Sequence, residues 1–568
     1  MRNFFDKLRA ARGEIPADLL IKNGRLLNVL SGEIYQENIA IYDGRIVGFG
    51  DYEANEVLDV EGLIVSPGFI DGHMHFESTM LTLNEFARVV LPHGTTAVVI
   101  DPHEIANVLG LDGIRYVLNH LPHLPIDVFV MLPSCVPATP LETSGSTITH
   151  NELNIMIHEE KVAGIGEMMN FPAVINGDDD THWKINASRW KKVDGHAPGV
   201  TGKALNAYIL SKIDSDHEST TKEEALEKVR KGIHVLIREG TSEKNLDDII
   251  PIVNAFNAHN FSFATDDKHP IDLSVEGHIN YSVRKAIKNG LDPILAYQMG
   301  TIFTARHYNL KNMGYLGPRT WADFVLISDL ENVTIEAVYK KGKKVADKDG
   351  VYWEPSYIPT IRSTMDPADL NENDLKIKAD GKKIRVIEII PNQIVTGEII
   401  ADAMIENGEV VPDIANDILK IVVIERHKAT GNIGKAFVKG LGLKQGAIAS
   451  TIAHDAHNIV IAGTNDRDIY KAYLRLREIK GGLVYVHNGE IVEELPLPIA
   501  GLLSNQPYEE VVGRLKKLND AIHSDGCSHP NPFMILSFLS LSPIPKLKVT
   551  DMGLIDAELF RKVDLFVS

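Results

Sequence analysis

Short apolar runs alternate with helical stretches through the middle of the chain. This alternation is typical of parallel β-strands joined by crossover helices. Eight apolar runs are interpreted as strands, and they end in the segments GFIDGHMH, TTAVVIDPHE, DVFVMLPSC, VAGIGEMM, KKVDGHAP, IDSDHES, IHVLIREG and FSFATDDKH. Eight such units over about 250 residues predict a TIM (β/α)8 barrel.

Two β-rich segments flank this central block. Residues 18–50 contain apolar runs interrupted at Asn23-Gly24 and Asp43-Gly44, dipeptides that favour tight hairpin turns. Residues 322–346 repeat the succession of strand, turn and strand. We therefore expect β-structure on both sides of the block.

A polar stretch follows the second β-rich segment. Residues 351–383 are rich in Pro, Asp, Asn and Lys, a composition that predicts a linker or exposed loops. Apolar strands and helical stretches resume at residue 385 and continue to residue 568. This pattern predicts a further α/β or α+β domain.

The composition narrows the class of protein. The 568 residues include 58 Lys+Arg and 77 Asp+Glu, which gives a formal net charge of −19. An acidic chain without a basic run disfavours nucleic acids and membranes as partners. Two cysteines exclude a cysteine-rich zinc site. Since no apolar run of about 18 residues and no secretory signal is present, we expect a cytoplasmic enzyme.

The segment DGHMHFEST places two histidines one residue apart. Residues i and i+2 of a strand point to the same side, so His73 and His75 can approach one ion together. Taken alone, the pair is equally well explained by histidines bound to backbone or water. Its position favours chemistry, because the carboxyl ends of the strands build the active site of a TIM barrel.

Later predicted strands supply further donors. Glu167 ends the fourth strand, His196 the fifth, His217 the sixth and Asp266 the eighth. Four imidazoles and two carboxylates suit Zn, Fe or Mn, whereas Cu(I) and Fe–S clusters prefer thiolates. The set is sufficient for two ions if one carboxylate bridges them. Any single member can be a structural polar residue, but six in this order argue against that explanation for all.

The segment DPHE ends the second predicted strand beside the histidine pair. His103 and Glu104 are candidates for catalysis through substrate contacts or proton transfer, and Asp101 for substrate binding or for orienting a ligand histidine. The alternative is a helix entry, with Asp101 as the N-cap and Pro102 as the first helical residue.

Four more residues near strand ends are candidates for substrate binding. Glu77 and Ser78 follow the histidine pair, where lining a pocket and capping a helix are equally good explanations. Arg238 and Glu239 end the seventh strand and either shape the pocket or form a structural ion pair.

The order of donors resembles the amidohydrolase superfamily. Its members carry HxH on the first strand, a bridging residue on the fourth, histidines on the fifth and sixth, and Asp on the eighth. Many members bridge the metals with a carboxylated Lys on strand four. Here the residue at that strand end is Glu167, and Lys161 lies too early, which points to the Glu-bridged branch.

Longer segments resemble, more specifically, the adenine deaminase family of bacteria and archaea, and the resemblance covers essentially the whole chain. These segments are PGFIDGHMHFESTML, GTTAVVIDPHEIANVLG, GIGEMMNFPAV, DGHAPGVTGKALNAYI, SDHESTTKEEALEKVRKG, IREGTSEKNL, TDDKHP, GLGLKQGAIASTIAHDAHNIVIAGTND and LPLPIAGLLS. The zinc deaminases that edit nucleic acids need an H-x-E…P-C-x-x-C signature, which this chain lacks.

The resemblance implies a fold: an α/β protein with a TIM (β/α)8 barrel, a composite β-sandwich from the flanking segments and an additional C-terminal α/β domain. The expected boundaries are 1–60 for the first part of the sandwich, 61–305 for the barrel, 306–384 for the second part of the sandwich with a linker, and 385–568 for the C-terminal domain.

The resemblance also implies a reaction, the hydrolysis of adenine to hypoxanthine and ammonia in purine salvage by a hydroxide that bridges two metal ions. Mn2+ or Fe2+ is expected, and Zn2+ is compatible. Asp266 is expected to take the hydroxide proton and pass it to the departing amine. The implied ligands are His73, His75, Glu167 and Asp266 for one ion and Glu167, His196 and His217 for the other.

Other interpretations stay open at this point. One is another amidohydrolase-type enzyme acting on a cyclic amide or amidine, and another is a metal-free scaffold protein. The long C-terminal segment and Glu167 count against the first, and the complete donor set counts against the second. Three explanations remain open for His454, Asp455 and His457 in HDAHN: these residues line the mouth of the active site, bind another ion, or have only a structural role. Adenine is the expected small-molecule partner, and a homodimer or higher homo-oligomer is expected.

Overall fold

The computed structural model describes residues 2–355, 361, 364–391 and 393–567. The chain begins with a helix, α1 (Arg2–Ala11), and five strands: β1 (Ala17–Asn28), β2 (Glu33–Tyr42), β3 (Arg45–Phe49), β4 (Ala54–Asp59) and β5 (Ile64–Pro67). Asp43-Gly44 forms the turn between β2 and β3, as predicted. The prediction of a hairpin at Asn23-Gly24 is wrong, because this dipeptide lies inside β1, at a shift in its register with β2.

Eight strands follow, one at each predicted segment: β6 (Phe69–Met74), β7 (Thr95–Ile100), β8 (Asp127–Leu132), β9 (Val162–Met168), β10 (Lys192–Gly195), β11 (Ser215–Asp216), β12 (His234–Arg238) and β13 (Phe261–Ala264). The first five form one parallel sheet and the last three another. A parallel bridge between Met74 and Asp266 connects β6 to the end of β13. On the other side, the Asp214 amide donates to the Val193 carbonyl at 2.9 Å.

Helices connect these strands and continue beyond the last one: α2 (Leu83–Val90), α3 (His103–Leu109), α4 (Leu111–His120), α5 (His150–Met156), α6 (Phe171–Asn176), α7 (Asp179–Ala187), α8 (Gly202–Leu210), α9 (Lys222–Arg230), α10 (Leu246–Ile249), α11 (Pro270–Val275), α12 (Ile279–Lys288), α13 (Pro293–Met299) and α14 (Ile302–His307). Several begin at a side chain that accepts a backbone N–H, such as Thr82 before α2 and Thr221 before α9. Such caps explain why the chain leaves each loop as a helix.

The second flanking segment completes the first sheet. Its strands are β14 (Phe324–Asp329), β15 (Thr334–Lys340), β16 (Lys343–Asp347) and β17 (Gly350–Val351). β14 pairs with β5, so strands from both flanks form one nine-stranded sheet. The last strand of its first part, β5, ends at Pro67, beyond the expected boundary at residue 60.

A buried lysine joins this sheet to the central block. The ammonium group of Lys340 donates to Asp127 at 2.6 Å and also to Asp323, and Lys161 donates to the other oxygen of Asp127 at 2.8 Å. Burial alone would raise the pKa of Asp127, but the two lysines hold it well below its usual range. These charges fix the first residue of β8 against β15.

The described residues of the C-terminal part form thirteen strands and three α-helices: β18 (Lys383–Ile389), β19 (Thr396–Asp402), β20 (Ile405–Glu406), β21 (Glu409–Val410), β22 (Ile418–Ile424), β23 (Ile433–Lys439), β24 (Ala447–Ser450), β25 (Ile459–Gly463), α15 (Asp466–Glu478), β26 (Gly482–His487), β27 (Glu490–Pro496), α16 (Tyr508–Ser524), α17 (Pro532–Phe538), β28 (Leu547–Thr550), β29 (Gly553–Asp556) and β30 (Arg561–Lys562). Eight of the strands form one sheet in the order β19-β18-β23-β22-β25-β24-β26-β27.

Part of the predicted linker at 351–383 packs against the C-terminal part. Leu375 is buried, the Tyr473 hydroxyl of α15 donates to the Ala368 carbonyl at 2.6 Å, and the Tyr470 hydroxyl donates to the Leu370 carbonyl at 3.0 Å. The described residues of the stretch have little regular secondary structure, and many, such as Glu372 and Lys376, are exposed, but the loops are not exposed throughout. Residues 356–360 and 362–363 of the predicted linker lie outside the described residues.

The C-terminal part lies against the carboxyl ends of the eight parallel strands. The Ser504 amide donates to the Met80 carbonyl at 2.8 Å, just past β6. The hydroxyls of Thr139 and Ser542 lie 2.7 Å apart, beyond the end of β8. Within the described part of the chain, no helix has the length and apolarity that crossing a bilayer requires.

Removal of the buried lysine should destabilise the fold. Lys340→Met leaves the carboxylates of Asp127 and Asp323 without their shared cation, which typically costs about 3–5 kcal/mol. We expect a clearly lower midpoint of thermal unfolding. Lys344→Met is the control, because it removes an ion pair with Asp347 on the protein surface. Equal midpoints for the two variants would contradict this role of Lys340.

The same ion pairs make stability depend on pH. Because they lower the pKa of Asp127, their contribution is complete above the unfolded pKa of about 4 and is lost as the pH falls toward the folded pKa. We expect the stability difference between the wild type and Lys340→Met to shrink on acidification, as measured by thermal unfolding at several pH values.

Candidate metal centre

The histidine pair at the end of β6 is held beside Asp266 by backbone hydrogen bonds. The Asp266 amide donates to the His73 carbonyl at 3.0 Å, and the His75 amide donates to the Asp266 carbonyl at 3.2 Å. The buried carboxylate of Asp71 accepts the His73 amide at 3.1 Å and the Thr265 hydroxyl at 2.5 Å. These contacts bring the ends of β6 and β13 into one unit.

Glu167, at the end of β9, lies among four imidazoles. Its Oε1 lies 3.2 Å from Nε2 of His75 and 3.3 Å from Nδ1 of His103. Its Oε2 lies 2.6 Å from Nδ1 of His196 and 3.1 Å from Nε2 of His217. One carboxylate therefore faces imidazole nitrogens from four other strand ends.

Asp266 faces the same group from the opposite side. Its Oδ1 lies 3.1 Å from Nε2 of His75 and 3.6 Å from Nε2 of His73. Its Oδ2 accepts a hydrogen bond from Arg238 at 2.9 Å. Arg238 also binds both oxygens of Glu218, so the guanidinium fixes the orientation of Asp266.

The tautomers and free nitrogens of the cluster fit bound cations. Nδ1 of His75 lies 2.9 Å from the Asp101 carbonyl, to which it must donate, so Nε2 is the nitrogen left to bind an ion. Among the described residues, both nitrogens of His73 and Nδ1 of His217 find no hydrogen-bond partner. Donor atoms lie within 4.8 Å of one another in the groups His73–His75–Asp266 and His73–Glu167–His217.

Burial and mutual attraction set the charges of the cluster. Burial alone would raise the pKa of Glu167, but His196 and the other imidazoles hold it well below its usual range. Asp266 behaves alike, because the adjacent imidazoles of His73 and His75 and the guanidinium of Arg238 outweigh burial. Burial and the nearby His217 lower the pKa of His73 to about 4. Two anionic carboxylates and a neutral His73 are the states in which these groups bind a divalent cation.

Asp101 supports the cluster from behind. Its Oδ2 accepts the Glu167 amide at 2.9 Å, and its carbonyl holds His75. Its side chain therefore orients Glu167 and its carbonyl orients His75, while the N-cap position of α3 is Pro102. This contradicts the alternative in which Asp101 is the helix cap.

Glu77, Ser78 and Glu239 each form polar contacts with other residues of the protein. Glu77 and Ser78 lie in a short 3-10 helix; Glu77 accepts the Ile105 amide at 3.1 Å, and Ser78 donates to Glu104 at 3.0 Å. Neither caps α2, which Thr82 caps. Glu239 pairs with Lys285 at 3.0 Å and does not line the cavity, so its expected contact with substrate stays a prediction.

A cavity opens onto the cluster. Its polar wall contains most of the predicted residues, namely His75, His103, Glu167, His196, His217, Arg238 and Asp266. The facing wall comes from the C-terminal part and is largely apolar, with Ile394, Phe538, Leu541, Pro543 and Ile544. The cavity is thus lined by charged side chains on the side of the cluster and by apolar side chains on the side of the C-terminal part. We call this apolar wall the roof.

Three carboxyl groups of the wall were missed in the sequence: Glu218, Glu243 and Asp267. Glu218 and Asp267 directly follow predicted ligands, so adjacency was an available signal. Glu243 lies in the loop after β12, within the segment IREGTSEKNL that resembles the family, but its own position was not singled out. Among the described residues, neither oxygen of Glu243 has a hydrogen-bond partner, and burial, with Asp267 next, raises its pKa to about 8.

Comparison with known proteins decides the family. The profile of the amidohydrolase family matches residues 64–345, and that of the adenine deaminase C-terminal domain matches residues 393–561. The chain is 45% identical to the adenine deaminase of Kosmotoga olearia, over 100% of this chain and 99% of that protein. It is 46% identical to the adenine deaminase of Thermosipho africanus, over 99% of each chain. The chain belongs to the adenine deaminase family.

A solved D-hydantoinase is also similar, with a TM-score of 0.44, 14% identity, and coverage of 60% of this chain and 97% of that chain.

The adenine deaminase C-terminal profile covers the part that forms the cavity roof. The histidine cluster of this part meets the centre: Nδ1 of His454 lies 3.7 Å from Oε1 of Glu104, and Nε2 of His457 lies 3.8 Å from Oε2.

Replacement of Glu167 tests whether the cluster holds metal. We expect Glu167→Gln to retain fewer Mn2+ ions than the wild type after dialysis against metal-free buffer, because the amide removes the charge shared among four imidazoles. Elemental analysis of the dialysed protein gives the stoichiometry. Glu142→Gln is the control, since Glu142 is a buried carboxyl that accepts a hydrogen bond from Ser542. Equal metal content in all three proteins would contradict this assignment.

Proposed function

We propose that the protein is a hydrolase of cyclic amidines that converts adenine and water to hypoxanthine and ammonia in purine salvage. The observation that carries this proposal is the match, over essentially the full chain, to relatives named adenine deaminase. The buried set of imidazoles and carboxylates at the strand ends supports it, because such donors are what a metal-dependent hydrolase needs.

We further propose that β6–β13 close into a complete (β/α)8 barrel. The bridge between Met74 and Asp266 and the hydrogen bond from Asp214 to Val193 support closure at the two edges. The barrel then spans about 61–305, the composite sandwich lies in 1–60 and 306–384 with its inner strand reaching Pro67, and the C-terminal α/β domain occupies 385–568.

The proposed metal ligands form two groups joined by Glu167. When bound there, two divalent cations would lower the pKa of a water molecule toward about 7 and so supply a nucleophile at neutral pH. Nitrogen and oxygen donors suit Mn2+ or Fe2+ and also accept Zn2+. The groups are His73, His75, Glu167 and Asp266 for the first ion and Glu167, His196 and His217 for the second.

Asp266 is the proposed base for one proton of the attacking water. Its low pKa keeps it ionised at neutral pH, and Arg238 holds one oxygen so that the other faces the cluster. The proton that it accepts leaves with the amine as ammonia. His103 and Glu104 are the proposed carriers of the other proton, which ends on a ring nitrogen of hypoxanthine. Both protons of the water are thus accounted for.

The cavity supports a small aromatic substrate. Phe538 and Ile544 of the roof offer apolar surface to a planar ring, while Glu243 and Asp267 offer polar groups to its edge. Adenine is therefore the proposed partner. A cytoplasmic location and a homodimer or higher homo-oligomer complete the proposal.

An absorbance assay tests the activity and the role of Asp266 together. We expect the Mn2+- or Fe2+-loaded enzyme to convert adenine to hypoxanthine with one ammonia per turnover.

Asp266→Asn should lower kcat by about 100-fold or more, because the amide cannot accept the proton. Asp272→Asn is the control, since Asp272 is a carboxylate of α11 that accepts a hydrogen bond from Thr241. Release of ammonia from a cyclic amide but not from adenine would contradict the proposed substrate.

A further inference from the structure

One carboxyl group of the cavity wall has no polar partner within the described part of the protein. Glu243 lines the main cavity, and its two carboxyl oxygens are buried without a hydrogen-bond partner among the described residues. A buried polar group in this state is destabilising unless a ligand satisfies it. The cavity wall therefore keeps a carboxyl group that the fold itself does not use.

The guanidinium of Arg238 attracts Glu243 but is committed to other groups. Its terminal nitrogens donate to Glu218 and Asp266, and its Nε donates to Asn245 at 3.2 Å. Glu243 is also absent from the groups of described residues whose donor atoms could hold an ion. The carboxyl group is thus left to bind a molecule in the cavity.

The loop after β12 holds Glu243 at the edge of the roof. The Gly240 amide donates to the Glu243 carbonyl at 3.1 Å, which closes a tight turn. The hydroxyl of Ser242, the preceding residue, donates to the sulfur of Met534 in α17, and the last residue of that helix lines the roof. Glu243 therefore lies where the loop beyond a strand end meets the C-terminal part.

Deamination fixes which side of the purine faces the metal centre. The attacked carbon C6 and its amino group must face the cluster, so the opposite side of the ring system, with N3 and N9, faces away from it. In the free base N9 carries a hydrogen, whereas in a nucleoside it carries a sugar. A carboxyl group offers an acceptor oxygen to this hydrogen whether it is protonated or ionised.

We propose that Glu243 is a specificity-determining residue that accepts the N9–H of the substrate and so selects the free base over its nucleosides. A substituent on N9 removes the hydrogen, leaves the buried carboxyl group without a partner and meets the junction of the loop with α17. This inference rests on the proposed deaminase function, because the orientation of the ring follows from attack at C6.

Steady-state kinetics of the metal-loaded full chain with adenine and 9-methyladenine test the proposal. We expect the wild type to prefer adenine by about 100-fold or more in kcat/KM, since the methyl group replaces the hydrogen that Glu243 binds. Glu243→Leu removes the acceptor at similar size and should raise KM for adenine by about 10- to 100-fold, with kcat within about threefold. The preference for adenine should shrink by the same factor. Glu243→Gln keeps an acceptor oxygen and should restore KM to within about threefold of the wild type.

A matched control separates recognition of the substrate from support of the loop. Glu276 pairs with Lys244 of the same loop at 2.9 Å and with Lys268 at 3.0 Å, and it does not line the main cavity. Glu276→Gln therefore loosens the loop from outside the cavity. We expect this variant to keep the wild-type ratio of kcat/KM for adenine and 9-methyladenine.

Binding of the product repeats the comparison without turnover. Calorimetry should show that the wild type binds hypoxanthine more tightly than 9-methylhypoxanthine, and that Glu243→Leu loses this difference. An unchanged preference in Glu243→Leu, or a loss of kcat without a change in KM, would overturn the proposal. An equal loss of preference in Glu276→Gln would assign the effect to the loop instead. A wild type that shows the difference in binding but does not deaminate adenine would contradict the proposed function and leave the role of Glu243 standing.

Discussion

The carboxylate of Glu167, buried among imidazoles, is the constraint around which the structure is arranged. A charge in such a place is tolerated only if donors or cations surround it closely. The chain meets this demand by ending several parallel strands with histidine at the same level, which a barrel-like arrangement permits and a flat sheet does not. Asp101, just after β7, binds the amide of Glu167 and the ring of His75, so one residue positions the anion and one of its partners together.

The residues that hold the donors in place are themselves held by charged residues farther from the cluster, in successive layers. Arg238 fixes Asp266 and is itself fixed by Glu218, while Asp71 binds the backbone on both sides of the junction between β6 and β13. Farther out, Lys340 holds the nine-stranded sheet against the start of β8. Each layer is a charged group buried with its counter-charge or with backbone donors, which restricts the orientations available to the layer inside it.

The grouping of these candidate donors was predictable from sequence because it depends on local rules. Strand ends, alternation along a strand and donor chemistry located His73, His75, Glu167, His196, His217 and Asp266, and the structure places them together. Contacts between distant segments were not predictable in this way. The apolar roof at Phe538, the burial of Leu375 and the pairing of Glu239 with Lys285 depend on how separate parts pack. At Asn23-Gly24 the local rule failed, because pairing of β1 with β2 continues past a good turn sequence.

The division of the cavity between two parts of the chain has a consequence for biosynthesis. Every one of the six donors lies at or before Asp266, whereas the roof residue Phe538 is synthesised about 270 residues later. At about 5–20 residues per second, a ribosome needs about 15–50 s to make that interval. During this time the nascent donors exist without the roof that later covers them. Ions can therefore reach the donors from open solvent, and the cell's metal pool at that moment has direct access to the site.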